Sequence, residues 1–552
     1  MMMKRHLTAL MILALAGCSA DEKYMEAGEP VSEARLDEAP TASAAPVEEA
    51  EYSGQAVSAS PQEGLAQAEP MPVARKADAK PKSMFYSFDD SLVDGEMAQP
   101  PAGPTTTGFT DYGVNPNTKT VEDRFSTFAI DVDTASYTLA RRSINDGYKP
   151  TPSGVRVEEF VNFFKYDYPS PDNGAFGVHM EGAPSPFSTE KDTYVVRVGV
   201  QGKHVTMEDR KPVHLVFLVD VSGSMNRPDK LGLAKESLAL LTNNLRSEDT
   251  VAIATYASGV KKVLPPTSVS QRSKILASLD GLQAGGGTGM SNGMELAYEM
   301  AMQTHKSGHV SRVIVVSDGD ANIGPMSHEQ ILSRIQHYVD EGITLSTIGF
   351  GMGNYKDTMM EQLANKGNGN NFYIDGMKEA KRIFQEQLEG TLQVIAKDVK
   401  IQVEFEPETV PEFRLIGYEN RKLAHEDFRR DEVDAGEIGA GHTVTALYEI
   451  KLNRKAGGKL ATVRVRHKQP EGYKAEEQAF ELYSRDLRTR VGDASRDFQF
   501  AVAVAGFAEI LRESPYAKNL SLALVEEIAS PNVGNREDRK EFMALLKKMK
   551  RL

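Results

Sequence analysis

The chain has 552 residues, 40% of them hydrophobic, and a formal net charge of −14. That length supports several domains. The acidic balance, with no basic stripe interleaved with aromatics, excludes nucleic acid as a main partner, because phosphate binding needs a basic surface. The one cysteine, Cys18, excludes an intramolecular disulfide in any compartment.

At the N-terminus, Lys4 and Arg5 precede a short apolar run, Leu7 to Leu15, closed by Leu15-Ala16-Gly17-Cys18. This is a signal-peptide layout, too short for a permanent membrane helix. Its ending resembles a bacterial lipobox, against the plainer alternative of an ordinary secretory signal with a chance cysteine. The resemblance implies cleavage after residue 17, lipidation (palmitate included) of Cys18, and, with Ser19 next, an outer-membrane address facing the periplasm. More than one acyl chain makes such an anchor stable. Residues 18–113 are rich in Ala, Glu, Pro and Ser, with ten acidic and two basic residues between Ser19 and Glu51. Such a stretch buries too little apolar area to offset its ordering entropy. It is expected to be a disordered tether with a span of roughly 50–60 Å.

Folded sequence is predicted from residues 114–208. "RFSTFAIDVDTASYTLARRSINDG" gives a strand and then a helix from about Thr134; "VRVEEFVNFF" gives a short helix and "TYVVRVGVQG" an alternating strand. From His214 strands and helices alternate. "VHLVFLV", "DTVAIATYA", "SRVIVVSDG" and "ITLSTIGFG" are strands. Between and after them "KLGLAKESLALLTNNL", "QRSKILASLDGL", "SNGMELAYEMAMQTH", "SHEQILSRIQHYVDEG", "YKDTMMEQLANKG" and "MKEAKRIFQEQLEGTL" are helices. This alternation predicts an α/β doubly wound, mostly parallel sheet over residues 209–395. Residues 396–485 are strand-rich and 486–552 helical.

In doubly wound folds ligands bind beyond the carboxyl ends of the strands. Asp220 ends one apolar strand and is followed by Ser222 and Ser224. Asp318 ends another, and Thr288 lies in the glycine-rich "GGGTGM". These five residues offer only oxygen donors, which suits Mg²⁺, or Mn²⁺ and Ca²⁺, and argues against zinc. "DVSGSM", Thr288 and the "SDGD" aspartate resemble the metal-ion-dependent adhesion site (MIDAS) of the von Willebrand factor A domain, over roughly His214 to Leu392. The resemblance implies a Rossmann-like fold in which the hydroxyls of Ser222, Ser224 and Thr288 touch the metal. Asp220 and Asp318 would hold and orient them largely through water. It also implies an open coordination position that takes a carboxylate from a partner protein. No general base accompanies the set, so a binding device is expected rather than an enzyme. The plainer reading, Asp220 and Ser222 as caps, does not require Thr288 and Asp318.

The flanks "STFAIDVDTASYTLARRSINDG", "VRVEEFVNFF" and "RLIGYENRKLAHEDFRRDEVDAGEIGAGHTVTALYEI" are similar to those of bacterial lipoproteins carrying this domain. With strand-rich sequence on both sides, the flanks are expected to pair into one β-sandwich with the A domain inserted in it. Asp131-x-Asp133 resembles a phosphatase nucleophile motif, but Ala135 stands where Thr or Val is needed. Capping of the next helix by Asp133 or Thr134 is expected instead. Gly285 to Gly287 lack the Lys-Ser/Thr of a phosphate loop, and "AHEDF" lacks a second histidine. Asp320 and Asn322 are expected to be turn residues. The sequence thus points to a lipid-anchored envelope protein that grips a carboxylate of a protein partner through Mg²⁺. The alternatives are a metal-dependent phosphatase or hydrolase, or a structural envelope protein whose metal serves stability alone. Neither the partner nor the oligomeric state is written in the sequence.

Overall fold

The computed structural model describes residues 108–552, apart from 288, 320–327, 353, 354, 454 and 456. The signal segment, Cys18 and nearly all of the tether lie outside the described residues, as do Thr288, Asp320 and Asn322.

The A-domain sheet has six strands in the order 371–374, 343–350, 310–317, 213–220, 250–256 and 260–268. All neighbours are parallel except the last pair. The central strand Val213–Asp220 is buried along its whole length. Leu215, Phe217 and Val219 pack into one cluster with Leu238 and Leu241 of the helix Leu233–Asn244. Val216 and Leu218 pack into the other, with Met294 and Ala297 of the helix Met290–Met302. Successive side chains of a strand point to opposite faces, and both faces here are covered by helices, which explains the unbroken apolar run. The edge strand Val260–Ser268 is not among the predicted strands, because Pro265 and Pro266 interrupt its pattern. An edge position tolerates proline, whose missing N–H costs no ladder bond on the open side.

The two flanks do pair. Thr193–Gly202 runs antiparallel to Thr443–Lys451, from Thr193↔Lys451 to Gln201↔Thr443. Phe125–Ala129 pairs with residues 400–404 of the long strand Val394–Phe405. One sheet has the order 118–119, 412–416, 443–451, 193–202, 176–184. In the other, Val394–Phe405 lies between Lys459–Lys468 on one side and Phe125–Ala129 with Gly436–Gly439 on the other. Their inner faces share one core, with Val196, Val198 and Tyr448 against Ile401, Val403 and Val463. The A domain is therefore an insertion, leaving after Gly202 and returning at Val394.

The helix Arg496–Leu511 is apolar almost all round and correspondingly buried. It packs with Ala135–Asn145, Val157–Phe163 and Glu537–Met549 around Phe160, Phe164, Phe500, Phe507 and Phe542. Buried ion pairs join these flanking elements to the A domain. Arg141 bonds Asp375 through two nitrogens at 2.7 Å and Glu379 at 2.9 Å. Arg156 meets Asp357 at 2.6 Å.

Candidate metal centre

Register brings the candidate residues together. Val219 pairs with Val316, so Asp220 and Ser317 end neighbouring strands side by side. The sequence is followed on one side by Thr250–Tyr256 and on the other by Val310–Ser317, so this is the switch point of the sheet. Asp220 is fully buried. Its Oδ1 accepts the Ser222 backbone N–H at 2.8 Å, and its Oδ2 accepts the Ser317 hydroxyl at 3.1 Å. Burial pushes its carboxyl above the ordinary aspartate range and the nearby Asp318 adds to this, while the bonds from Ser222 and Ser317 oppose it.

The Asp220–Ser222 bond turns the chain out of the strand into a short 3₁₀ turn, Gly223–Met225. Met225 is fully buried in the A-domain core and anchors that turn. The Ser222 and Ser224 hydroxyls lie 3.0 Å apart. The glycine run is tied to the same loop: Gly285 N–H donates to Val221 O at 2.7 Å and Gly223 N–H to Gly286 O at 2.9 Å. Gly286 has φ +87°, and a Cβ there would come within 2.7 Å of Ser258 Oγ, so glycine is required. The segment leading to Thr288 thus starts against the serine loop.

Asp318 is 2% exposed and accepts a bond from Lys230 Nζ at 2.7 Å. The sequence reading missed Lys230. It lies in a π-helical turn, Pro228–Gly232, at the head of the helix Leu233–Asn244, and such turns recur at functional sites. Its stem passes Gly351, where a Cβ would lie 2.5 Å from Lys230 Cγ. A signal existed: Lys230 stands four and eight residues before the buried Ala234 and Leu238, placing a charge on the inward face. Its neighbour Asp229 accepts a bond from Arg142 of the flanking helix at 2.7 Å.

Asp133 and Thr134 behave differently from expectation. Thr134 occupies the N-cap position of Ala135–Asn145, but its side chain makes no capping bond; its hydroxyl accepts from Arg382 at 3.1 Å. Asp133 does not cap either, since one oxygen accepts the Asn371 N–H at 2.8 Å and the other Arg421 at 3.0 Å. Tertiary partners win over the local cap because both aspartates are buried at a junction with the A domain. His425 bridges Asp123 and Thr127, and takes no part in a zincin helix.

Three family models match the chain: von Willebrand factor type A domain over residues 214–386, von Willebrand factor over 104–196, and the C-terminal region of uncharacterized protein YfbK over 390–552. The chain is 34% identical over 513 residues to the protein YfbK of Escherichia coli (strain K12), covering 85% of this chain and 88% of that one. The chain belongs to the von Willebrand factor type A family. Human inter-alpha-trypsin inhibitor heavy chain H4 is 26% identical over 208 residues, 35% of this chain and 21% of that protein. Von Willebrand factor type A from Catenulispora acidiphila is a solved structure with 14% identity and a TM-score of 0.42, covering 70% of this chain and 91% of that one. Asp220, Ser222, Ser224, Thr288 and Asp318 all fall within the stretch matched by the A-domain model. Among the described residues, no helix is long and apolar enough to cross a membrane.

Proposed function

We propose that the A domain binds a divalent cation through Ser222, Ser224 and Thr288, held by Asp220 and Asp318, and that this site grips a carboxylate of a protein partner. The observation that carries the reading is the hydroxyl pair at 3.0 Å, set beside a fully buried aspartate at the sheet's switch point. An all-oxygen donor set of this kind suits a hard divalent cation such as Mg²⁺, Mn²⁺ or Ca²⁺. No group of three or more His, Cys, Asp or Glu side chains suited to a metal occurs among the described residues.

When bound, the cation would supply Lewis acidity toward an incoming carboxylate. The protein's own groups set how strongly that carboxylate is wanted. Ser222 and Ser224 are neutral, and the ammonium of Lys230 answers the charge of Asp318. Little negative charge is left to cancel a divalent cation, so an acidic partner would complete the site. Two carboxylates bonded in this way offer no free general base, which favours binding over turnover.

We further propose that Cys18 carries the lipid anchor and that the tether holds the folded part off an envelope membrane, on the strength of the lipobox-like sequence. The test is capture of envelope proteins by the immobilised full chain with Mg²⁺, with chelator, and as Asp220→Ala. Retention of a partner only in the first condition supports the reading. The same proteins retained in all three would make the metal structural or idle.

A further inference from the structure

Away from the metal centre, a cavity of about 140 Å³ lies at the two crossings between the inserted A domain and the sandwich. His204, just after the outgoing Gly202, lines it together with the A domain's last turns, residues 386, 387 and 390, and with 440–443 of the sandwich. Lys165, just after the helix Val157–Phe163, lines another side. At about 30 Å³ per liquid water the cavity holds roughly five waters, room for one small ion with part of its hydration.

The wall is rich in donors with capacity to spare. Lys165 enters no ion pair among the described residues, and its Nζ makes one long bond, to the Glu386 carbonyl at 3.4 Å. The next residue, Gln387, spends its Oε1 on Arg382 at 3.0 Å, which leaves its amide NH₂ for a ligand. A Cβ at Gly390 would collide with His442 Nε2, and a Cβ at Gly441 would come within 2.6 Å of His204 Nδ1. Glycine at both places lets the two imidazoles close on this turn. His442 Nδ1 is shut off from solvent without a partner, whereas Nε2 stays accessible. A buried N–H without an acceptor is rarer than a bare lone pair, so the neutral ring carries its proton on Nε2.

Charge points the same way. Arg312 is 1% exposed. It bonds Thr344 Oγ1 at 2.9 Å and the carbonyl of Thr391, directly behind Gly390, but no carboxylate among the described residues. A buried cation without an ionic partner is costly, and an anion nearby offsets that cost. Burial, and then Lys165, Arg382 and Arg312, push the His442 ring down to about 4, with no carboxylate opposing them. Arg382 is itself answered by Glu379, and the wall's one acid, Glu386, is exposed.

From these donors and this field we infer that the cavity binds a phosphate group, its oxygens shared between Lys165 Nζ, Gln387 Nε2 and the rings of His204 and His442. The four donors come from four segments of chain, which suits a tetrahedral anion better than a planar carboxylate. Lysine binds phosphate as a point charge, without the planar fork of a carboxylate clamp. The site shares no residue with the metal centre, so the inference is independent of the metal reading.

The test is calorimetric titration and thermal melting of the full chain, dialysed free of divalent cations and phosphate. The probes are inorganic phosphate, glycerol 3-phosphate and acetate. Saturable binding of phosphate is expected, with acetate at least about tenfold weaker. Glycerol 3-phosphate binding as tightly identifies a site for phosphate esters, and its exclusion identifies one for the free ion. Lys165→Met, on the surface, should weaken phosphate about tenfold. His442→Phe keeps a ring without an N–H and should do the same. Glu386→Gln should tighten phosphate about threefold. Lys262→Met, the same loss of charge on the edge strand Val260–Ser268, should leave the affinity unchanged. Phosphate also raises melting temperatures by exclusion from protein surfaces, and a shift of that origin would survive Lys165→Met. No heat at about 10 mM phosphate, or acetate binding as tightly, overturns the inference. So does an affinity unchanged by Lys165→Met, or one lowered equally by Lys262→Met.

Discussion

Two strand ends in this molecule begin alike and finish differently. "HLVFLVDVS" and "STFAIDVDT" each run an apolar strand into an aspartate. Each aspartate then accepts the backbone N–H two residues on, Asp220 from Ser222 at 2.8 Å and Asp131 from Asp133 at 3.0 Å. The residue at that second position decides the outcome. Ser222 is neutral, and its hydroxyl meets that of Ser224, giving an oxygen cluster with charge demand to spare. Asp133 adds a second buried carboxylate, which must be answered inside the protein, and Arg421 answers both. The same local turn thus leads to a neutral hydroxyl pair in one place and a closed ionic clamp in the other.

The largest expected effect comes from opening the clamp. Arg421→Met should destabilise the protein by about 3–5 kcal/mol, the range for stripping one partner from a buried ion pair. Urea unfolding checks it, and a loss under 1 kcal/mol would mean that the clamp is held by other groups. At the other strand end, Ser222→Ala should leave stability within about 1 kcal/mol but weaken Mn²⁺ binding by at least about tenfold. Manganese titration followed by electron spin resonance reads this directly. Unchanged affinity would remove Ser222 from the coordination shell.

Lys230 is the element that departs from a purely neutral and acidic site. Replacing it with Met removes a unit charge bonded to Asp318. At an effective dielectric near 20, a neighbouring cation opposes a second one by a few kcal/mol before screening. Lys230→Met should therefore tighten Mn²⁺ binding by about tenfold at low salt, and less at high salt. Weaker binding would show instead that Lys230 positions Asp318 for the metal.

Much of this was legible before any coordinates. The central strand announced itself because helices cover both its faces, and its unbroken apolar run has no other explanation. The sandwich could be anticipated because strand-rich stretches on either side of an α/β unit have only each other to pair with, and Thr193–Gly202 with Thr443–Lys451 bears this out. What escaped was set by tertiary partners. Lys230 is an unremarked charge until Asp318, 88 residues away, faces it. Thr134 had the sequence of a cap, but Arg382 from the A domain takes its hydroxyl. The edge strand Val260–Ser268 hid behind two prolines that only its edge position makes acceptable.

The smallest effect gives the sharpest reading of the clamp. Asp131 and Asp133 share one arginine, so removing one acid should be far gentler than removing the base. Asp133→Asn keeps an oxygen for the Asn371 N–H and should change stability by no more than about 1 kcal/mol near neutrality. Its pH dependence carries a sign. Burial, and then Asp131, push the Asp133 carboxyl well above its ordinary value of 3.8, against the pull of Arg421. A carboxyl raised in the folded state binds its proton more tightly there than in the unfolded chain. Its contribution is therefore fully present below 3.8 and is lost as pH rises through the folded value. Asparagine has no such loss, so the melting temperature of Asp133→Asn should improve relative to the parent as pH rises from 4 to 8. A difference that stays flat would mean that Arg421 alone keeps Asp133 ionised throughout, and a difference that shrinks would mean that the ion pair outweighs burial. Either result would make the clamp a net stabiliser, where the raised carboxyl marks it as a strained one.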